Sequence, residues 1–445
     1  MPYLSLTAEE KKAMFDRIGV RSFDELTGDI PASLRDPKIS LPAGLSELEI
    51  QDLVAKLGQK NTTVKGALSF LGAGSYDHFI PAAVFDIVGR QEFSTAYTPY
   101  QPEASQGTLQ AIYEYQSLMV ELTGLDVSNA SHYDGATSLA EAALVALKQT
   151  DRSKLLIARS VHPHYRQTIR TYLAGTPYQI EEINFDAVGN FKREELLSRL
   201  DATVAGVIFQ TPNFLGVMEN LEGVSEKIHA NGSLMILTAN PLSLGLFKSP
   251  GEWGADIAAG EGQPLGLSMN FGGPYLGYFV TSQALMRRIP GRLAGLTEDA
   301  DGKRAFCLTL QAREQHIRRE RAGSNICSNQ ALCALAACVY MTLLGKKGIR
   351  EIAEINWDRA NYLRSKISSL KNYEVDPSQT IFNEFRVRSN KPFPKIQEKL
   401  MAQGIFPGVA LEPFYPELKD HFLVCATETK SKEDLDRFVE ALERC

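Results

Sequence analysis

The sequence predicts an α/β protein: a mainly parallel sheet, a small C-terminal α/β lobe and an N-terminal arm. Three observations carry that prediction. Between residues 132 and 283, short apolar runs alternate with stretches of helical periodicity, the βαβ pattern that builds a parallel sheet covered by helices. Beyond residue 349 a second, shorter alternation of helices and strands begins. Ahead of both, residues 1–65 are polar and carry three prolines in DIPASLRDPKISLPAGLSE, so they read as helix and extended linker. The expected division is an arm over 1–65, a large domain over 66–345 and a small domain over 346–445.

In the arm, Thr7 ahead of Glu9–Lys12, Phe15 and Ile18 predicts a capped amphipathic helix, and Ser46 opens another through Leu57. Such an arm wraps a neighbouring chain or packs on its own lobe, and the residues leave both open. In GAGSYDHFIP (72–81), Gly72 and Gly74 permit a tight turn or close backbone approach. Ser75, Tyr76, Asp77 and His78 follow before a proline-started helix; on these residues alone this is equally an ordinary turn. Strands are expected at 155–158, 178–183, 204–209, 234–238, 256–259 and 275–280, with helices near 161–174, 191–200 and 221–230. Parallel sheets bind ligands outside the carboxyl ends of their strands. The loops there are QTPNFLG, TANPLSL and AGEGQPLG. DGATSLAEAALVAL (134–147) reads as a turn and a helix whose first turn, Gly135 to Ser138, offers free N–H groups. Any capped helix start has this look.

The 445 residues suffice for a large core and two lobes. A composition of 44% hydrophobic and 22% charged residues excludes extensive disorder. The net charge of −6 argues against nucleic acid or an anionic membrane as partner. The spacings of Cys327, Cys333 and Cys338 fit neither a zinc site nor a disulfide framework, so no metal is expected and the cysteines read as buried apolar groups in a reducing compartment. MPYLSLTAEEKKAMFDRIGV lacks an apolar leader core, and no run of about 20 apolar residues is evident. The expected location is the cytoplasm. Arg313, His316, Arg318, Arg319 and Arg321 alternate with Glu314 and Glu320, which predicts helical ion pairs on a solvated or interface face.

The most informative stretch is FSTAYTPYQPEASQGTLQAIYEYQ (93–116). Pro99 and Pro102 remove two backbone donors and exclude a helix interior over 97–103. Ser105 is placed to cap a helix from near Gly107 that carries Leu109, Ile112, Tyr113 and Leu118 at helical spacing. A stiff loop thus holds Tyr97, Thr98, Tyr100, Gln101 and Glu103 ahead of a helix. On its residues alone it is also compatible with a surface loop bearing structural tyrosines.

AYTPYQPEASQG, with YQ and ELTGL after it, resembles the glycine decarboxylase P-protein of the glycine cleavage system. The likeness continues through GAGSYDHFIP, HYDGATSLAEA, QTPNFLG, NFGGPYLGYF and REQHIRRERAGSNICSNQAL, over essentially the whole chain. The length is similar to the first half of that enzyme, its alpha chain where it is split in two. The resemblance implies a fold-type-I pyridoxal-phosphate (PLP) transferase-like fold with a seven-stranded, mainly parallel sheet. It also implies decarboxylation of glycine and transfer of the aminomethyl group to the lipoyl arm of H-protein. In that fold the turn at Gly135 holds the coenzyme phosphate. The family's catalytic half carries its Schiff-base lysine in a loop after an aspartate-bearing strand. Here the matching loop has no lysine anywhere from Ser249 to Gly302, and the matching strand LMILTANPLSL offers Thr238 and Ala239. Lys248 lies outside that register.

What the resemblance then implies is a PLP coenzyme held by a second subunit, in a heterotetramer of two alpha and two beta chains. Tyr97, Thr98, Tyr100, Gln101 and Glu103 would face the partner's coenzyme and orient the glycine carboxylate, with Glu103 relaying a proton if burial raises its pKa. Ser75, His78 and the arm would line the lipoyl channel, and Ser324 and Asn325 would reach the partner's phosphate. The competing readings are a self-sufficient PLP decarboxylase or aminotransferase, and a non-catalytic scaffold or regulator of the same fold.

Overall fold

Seven strands build the central sheet: β1 (Val127–Ser128), β2 (Lys154–Ala158), β3 (Gln179–Ile183), β4 (Val204–Gln210), β5 (Leu234–Thr238), β6 (Ile257–Glu261) and β7 (Gly277–Thr281). Their spatial order is β1-β7-β6-β5-β4-β2-β3. β3, β2, β4, β5 and β6 run parallel, and β7 is antiparallel to both its neighbours. The expected strands therefore form, each within a residue or two of its bounds, because runs such as LLIA and VAGVIF are buried on both faces, as parallel strands between helical layers must be. Ile157, Val207 and Ile236 are fully buried, each worth on the order of 2 kcal/mol.

The structure is a computed structural model that describes residues 5–35, 37–38, 40–63 and 66–445. It divides into two units, Met1–Thr63 and Val64–Cys445. The expected boundary at residue 65 lies outside the described residues. In the first unit, α1 (Ala8–Ile18) and α2 (Glu47–Gly58) each start on a complete capping box, Thr7 with Glu10 and Ser46 with Glu49. Between them the described residues include two short helical turns, Phe23–Leu26 and, in the proline-rich stretch, Ala32–Arg35.

In the second unit, α3 (Gln106–Thr123), α4 (Gly135–Thr150) and α5 (Pro163–Leu173) precede a long helix, α6 (Ala331–Ser368). α6 joins two helices across Gly345, whose φ of 58° and ψ of −176° are not helical. One 18-residue window of α6 is long and apolar enough to cross a membrane, contrary to the sequence reading. Here it packs in a core: Cys333, Ala337, Tyr340 and Met341 are buried with Tyr115, Leu276 and Tyr278. Cys425 and Cys445 are buried too, but Cys327 is exposed in the segment ahead of α6, and Cys307 is half-buried because it alternates with the buried Phe306 and Leu308 on the strand Arg304–Thr309. The small lobe is a four-stranded antiparallel sheet in the order Tyr373–Glu374, Glu384–Ser389, His421–Cys425, Val409–Ala410, with its own apolar core around Phe385, Phe422 and Phe438.

Candidate functional site

The carboxyl ends of the parallel strands meet the start of α4. Asp134 caps that helix, its Oδ1 accepting from the Thr137 N–H at 2.8 Å. The Gly135 N–H donates to Glu261 Oε2 at 2.9 Å. Glu261 ends β6, and its other oxygen accepts from the N–H groups of Gln263 (2.9 Å) and Leu276 (3.0 Å). Burial pushes the Glu261 carboxyl up to about 8, against the pull of these donors. Two of the donors that make a helix start an anion site, the N–H groups of Gly135 and Thr137, are thus taken by the chain's own acidic side chains.

The space above is filled as well. Tyr165, from the first turn of α5, stacks on His162 with ring centroids 4.7 Å apart and planes at 22°. A Cβ at Gly135 would lie 2.5 Å from the Tyr165 hydroxyl and 2.6 Å from the Glu261 nitrogen, so only glycine fits there. His162 donates from Nε2 to the Ala73 carbonyl (2.9 Å) and accepts at Nδ1 from the His164 N–H (3.1 Å), which fixes a neutral tautomer. Burial lowers its pKa to about 4, in keeping with that.

The neighbouring strand ends are closed. At the end of β5, Ala239 donates its N–H to the Tyr278 hydroxyl (2.9 Å), and that hydroxyl donates to the Ala239 carbonyl (2.8 Å). Gln263 is buried and pairs with the Tyr76 backbone through both of its amide atoms. In QTPNFLG, Asn213 ties the loop to the Gly189 carbonyl and Glu219, each at 2.8 Å. Lys248 is half-exposed, 3.1 Å from Glu222 and over the Trp253 ring, and so faces away from this region.

The loop over 97–103 presents a different surface, an open groove of about 920 Å³. Tyr97 is 86% exposed, its hydroxyl 3.2 Å from Ser328 Oγ. Tyr100 is 48% exposed, and its hydroxyl accepts from Arg292 Nη2 at 3.3 Å. The Arg292 guanidinium also lies 5.5 Å from the Tyr100 ring centroid. Arg292 itself is buried and donates to the Cys327 carbonyl, which fixes it beneath the tyrosine. The Thr98 hydroxyl is buried with no partner among the described residues. Gln101 and Glu103 are exposed. The burial that would make Glu103 a proton relay is therefore not provided by this chain.

His78 departs from expectation. Its side chain is buried, with Nδ1 2.9 Å from Glu428, so it ties residues 72–81 to the small lobe and does not line an open channel. Ser75 is half-buried with its hydroxyl 2.6 Å from that of Tyr275. Ser105 stands at the cap of α3 without a side-chain bond, and the neighbouring Gln106 ties the helix start to the Pro102 and Phe306 carbonyls, to which it donates. Ser324 accepts from the Ile326 N–H at 3.0 Å, and Asn325 is exposed. Sequence reading missed Tyr165, His162, Glu261 and Arg292. Only Glu261 carried a signal, a lone acid among glycines at a strand's carboxyl end.

The strand order and the small lobe define a fold shared with fold-type-I PLP enzymes. A sphingosine-1-phosphate lyase of Burkholderia pseudomallei superposes with a TM-score of 0.67 over 93% of each chain, at 13% identity, which speaks to fold alone. The chain belongs to the glycine cleavage system P-protein family, whose model matches residues 1–442. It is 49% identical over 440 residues to a probable glycine dehydrogenase (decarboxylating) subunit 1 of Desulfitobacterium hafniense, covering 99% of this chain and 98% of that relative. A protein of the same description in Geobacillus thermodenitrificans is 48% identical, over 99% and 98% of the two chains. A crystal structure of glycine decarboxylase (P-protein) of the glycine cleavage system, in inhibitor-bound form, matches all of both chains with a TM-score of 0.91 at 40% identity.

Proposed function

We propose that this chain is the first subunit of a glycine dehydrogenase (decarboxylating), acting with a second subunit that carries PLP. Together they remove the carboxylate of glycine and pass the aminomethyl group to the lipoyl group of H-protein. The assembly is a heterotetramer of two chains of each kind.

The observation that carries the division of labour is the occupied start of α4. PLP chemistry in this fold needs a phosphate seat, an acid against the ring nitrogen and a lysine. The residues present do not fit that group. Glu261 holds the Gly135 N–H and Asp134 the Thr137 N–H in the first turn, and Tyr165 lies over Gly135. Ala239 stands at the strand end, and Ser249 to Gly302 lack lysine. The catalytic contribution of this chain is instead the exposed loop. Tyr100, held by Arg292, offers an oriented hydroxyl without a full positive charge at the substrate, so it directs a carboxylate without over-stabilising the ground state. Tyr97, Thr98, Gln101 and Glu103 complete that wall, and Ser324 and Asn325 approach the partner's phosphate.

The test is to express the chain alone, its partner alone and both together, and to assay glycine–bicarbonate exchange. Activity only in the combined preparation is expected. Full activity of the partner alone would discard the proposal, and tolerance of substitution throughout 97–103 would favour a scaffold.

A further inference from the structure

The run from Arg313 to Arg321 does not form the expected ladder of helical ion pairs. Its only α-helix is the four residues Gln315–Arg318, too short for that spacing to repeat. Glu314 is taken by His316, 3.6 Å away, and Glu320 by Arg321, 3.9 Å away. Arg287, Arg288, Arg313 and Arg318 make no ion pair among the described residues. All four line one cavity of about 270 Å³, together with Lys148 and Arg321. Glu314 is the single acid in that lining. In a chain of net charge −6, this is a marked concentration of positive charge.

Arg313 is the focus. Its Nη1 donates to the Ile289 carbonyl, while Nε and Nη2 are buried with no partner among the described residues. A buried guanidinium with idle donors is costly unless an anion meets it. We infer that this cavity binds a multiply charged oxyanion of the phosphoryl class, seated on Arg313 and ringed by the other cations. Several acceptor oxygens match the idle donors and Lys148, as planar and ammonium donors together suit phosphate. Ser324 lines the same cavity, and His316, paired with the lining residue Glu314, has its ring centroid 5.9 Å from that of Tyr100, so the seat adjoins the exposed loop. Two sources supply that chemistry: free phosphate, or a phosphoryl group borne by a ligand of the second subunit. The latter rests on the function proposed above.

Calorimetric titration of the isolated chain with inorganic phosphate, in 0.15 M sodium chloride, tests the seat itself without reference to that function. One phosphate per chain with a Kd below about 1 mM is expected. Arg313→Gln should weaken it at least about tenfold, and the exposed Arg318→Gln about threefold. Arg437→Gln, the same charge change in the small lobe, should leave it unaltered. Three results would overturn the inference: no saturable binding, equal affinity for acetate, or unchanged binding in both cavity variants while each keeps the wild-type melting temperature. In the assembled complex, a continued uptake of one phosphate per chain identifies free phosphate as the occupant. Loss of that uptake, with faster coenzyme release in the Arg313→Gln complex, identifies the partner-borne group. Either outcome supports the seat.

Discussion

Replacing Tyr100 with phenylalanine separates the oriented hydroxyl from the ring that carries it. The ring keeps its place against the Arg292 guanidinium, 5.5 Å away, and its edge contact with His316. What is lost is one bond from a charged donor, 3.3 Å long and half open to solvent. Water replaces it in the free chain, so the stability loss should stay below about 1 kcal/mol. If that hydroxyl directs the glycine carboxylate in the transition state, the loss there is about 1.5–3 kcal/mol, or roughly 10- to 100-fold in kcat/KM. The assay is glycine–bicarbonate exchange by the assembled complex, with the visible absorbance of the coenzyme as control. The absorbance should persist while turnover falls. A kcat/KM within about twofold of wild type, in an intact complex, would refute the role given to Tyr100.

Further outcomes follow from other parts of the structure. Glu384 is buried, and desolvation pushes its carboxyl up to about 7. Its folded pKa thus lies above the unfolded value, the folded state binds more protons between about pH 4.5 and 7, and stability should fall as pH rises through that window by up to roughly 3 kcal/mol. Denaturant midpoints at several pH values measure this, and Glu384→Gln should reduce the slope, leaving a remainder to which Glu261 contributes, its carboxyl also being pushed up, to about 8. Gly135→Ala forces a methyl against the Glu261 backbone and Tyr165, and should cost about 1–3 kcal/mol in thermal unfolding. Lys248→Met removes an exposed ion pair with Glu222 and a cation–π contact with Trp253, so exchange activity should stay within error of wild type and stability should fall by no more than about 1 kcal/mol.

The strands of the large sheet were legible because burial on both faces leaves a plain mark, a run such as VAGVIF bounded by polar residues. The filled helix start was not. It joins Glu261 to Gly135, 126 residues away, and periodicity says nothing about side chains converging from separate loops. His78 was misplaced for the same reason, since its partner Glu428 is 350 residues distant. The arginine run misled differently. Spacing predicts pairs only if a helix persists, and here it breaks after one turn. The exposed loop was readable because prolines constrain it locally, whereas Arg292, which sets the Tyr100 hydroxyl, comes from a strand entry far along the chain.

The most direct measurement is to reduce the active complex with borohydride, digest it, and locate the coenzyme label by mass spectrometry. On the proposed division of labour every labelled peptide comes from the second subunit and none from this chain. Stoichiometric label on any lysine of this chain would contradict it.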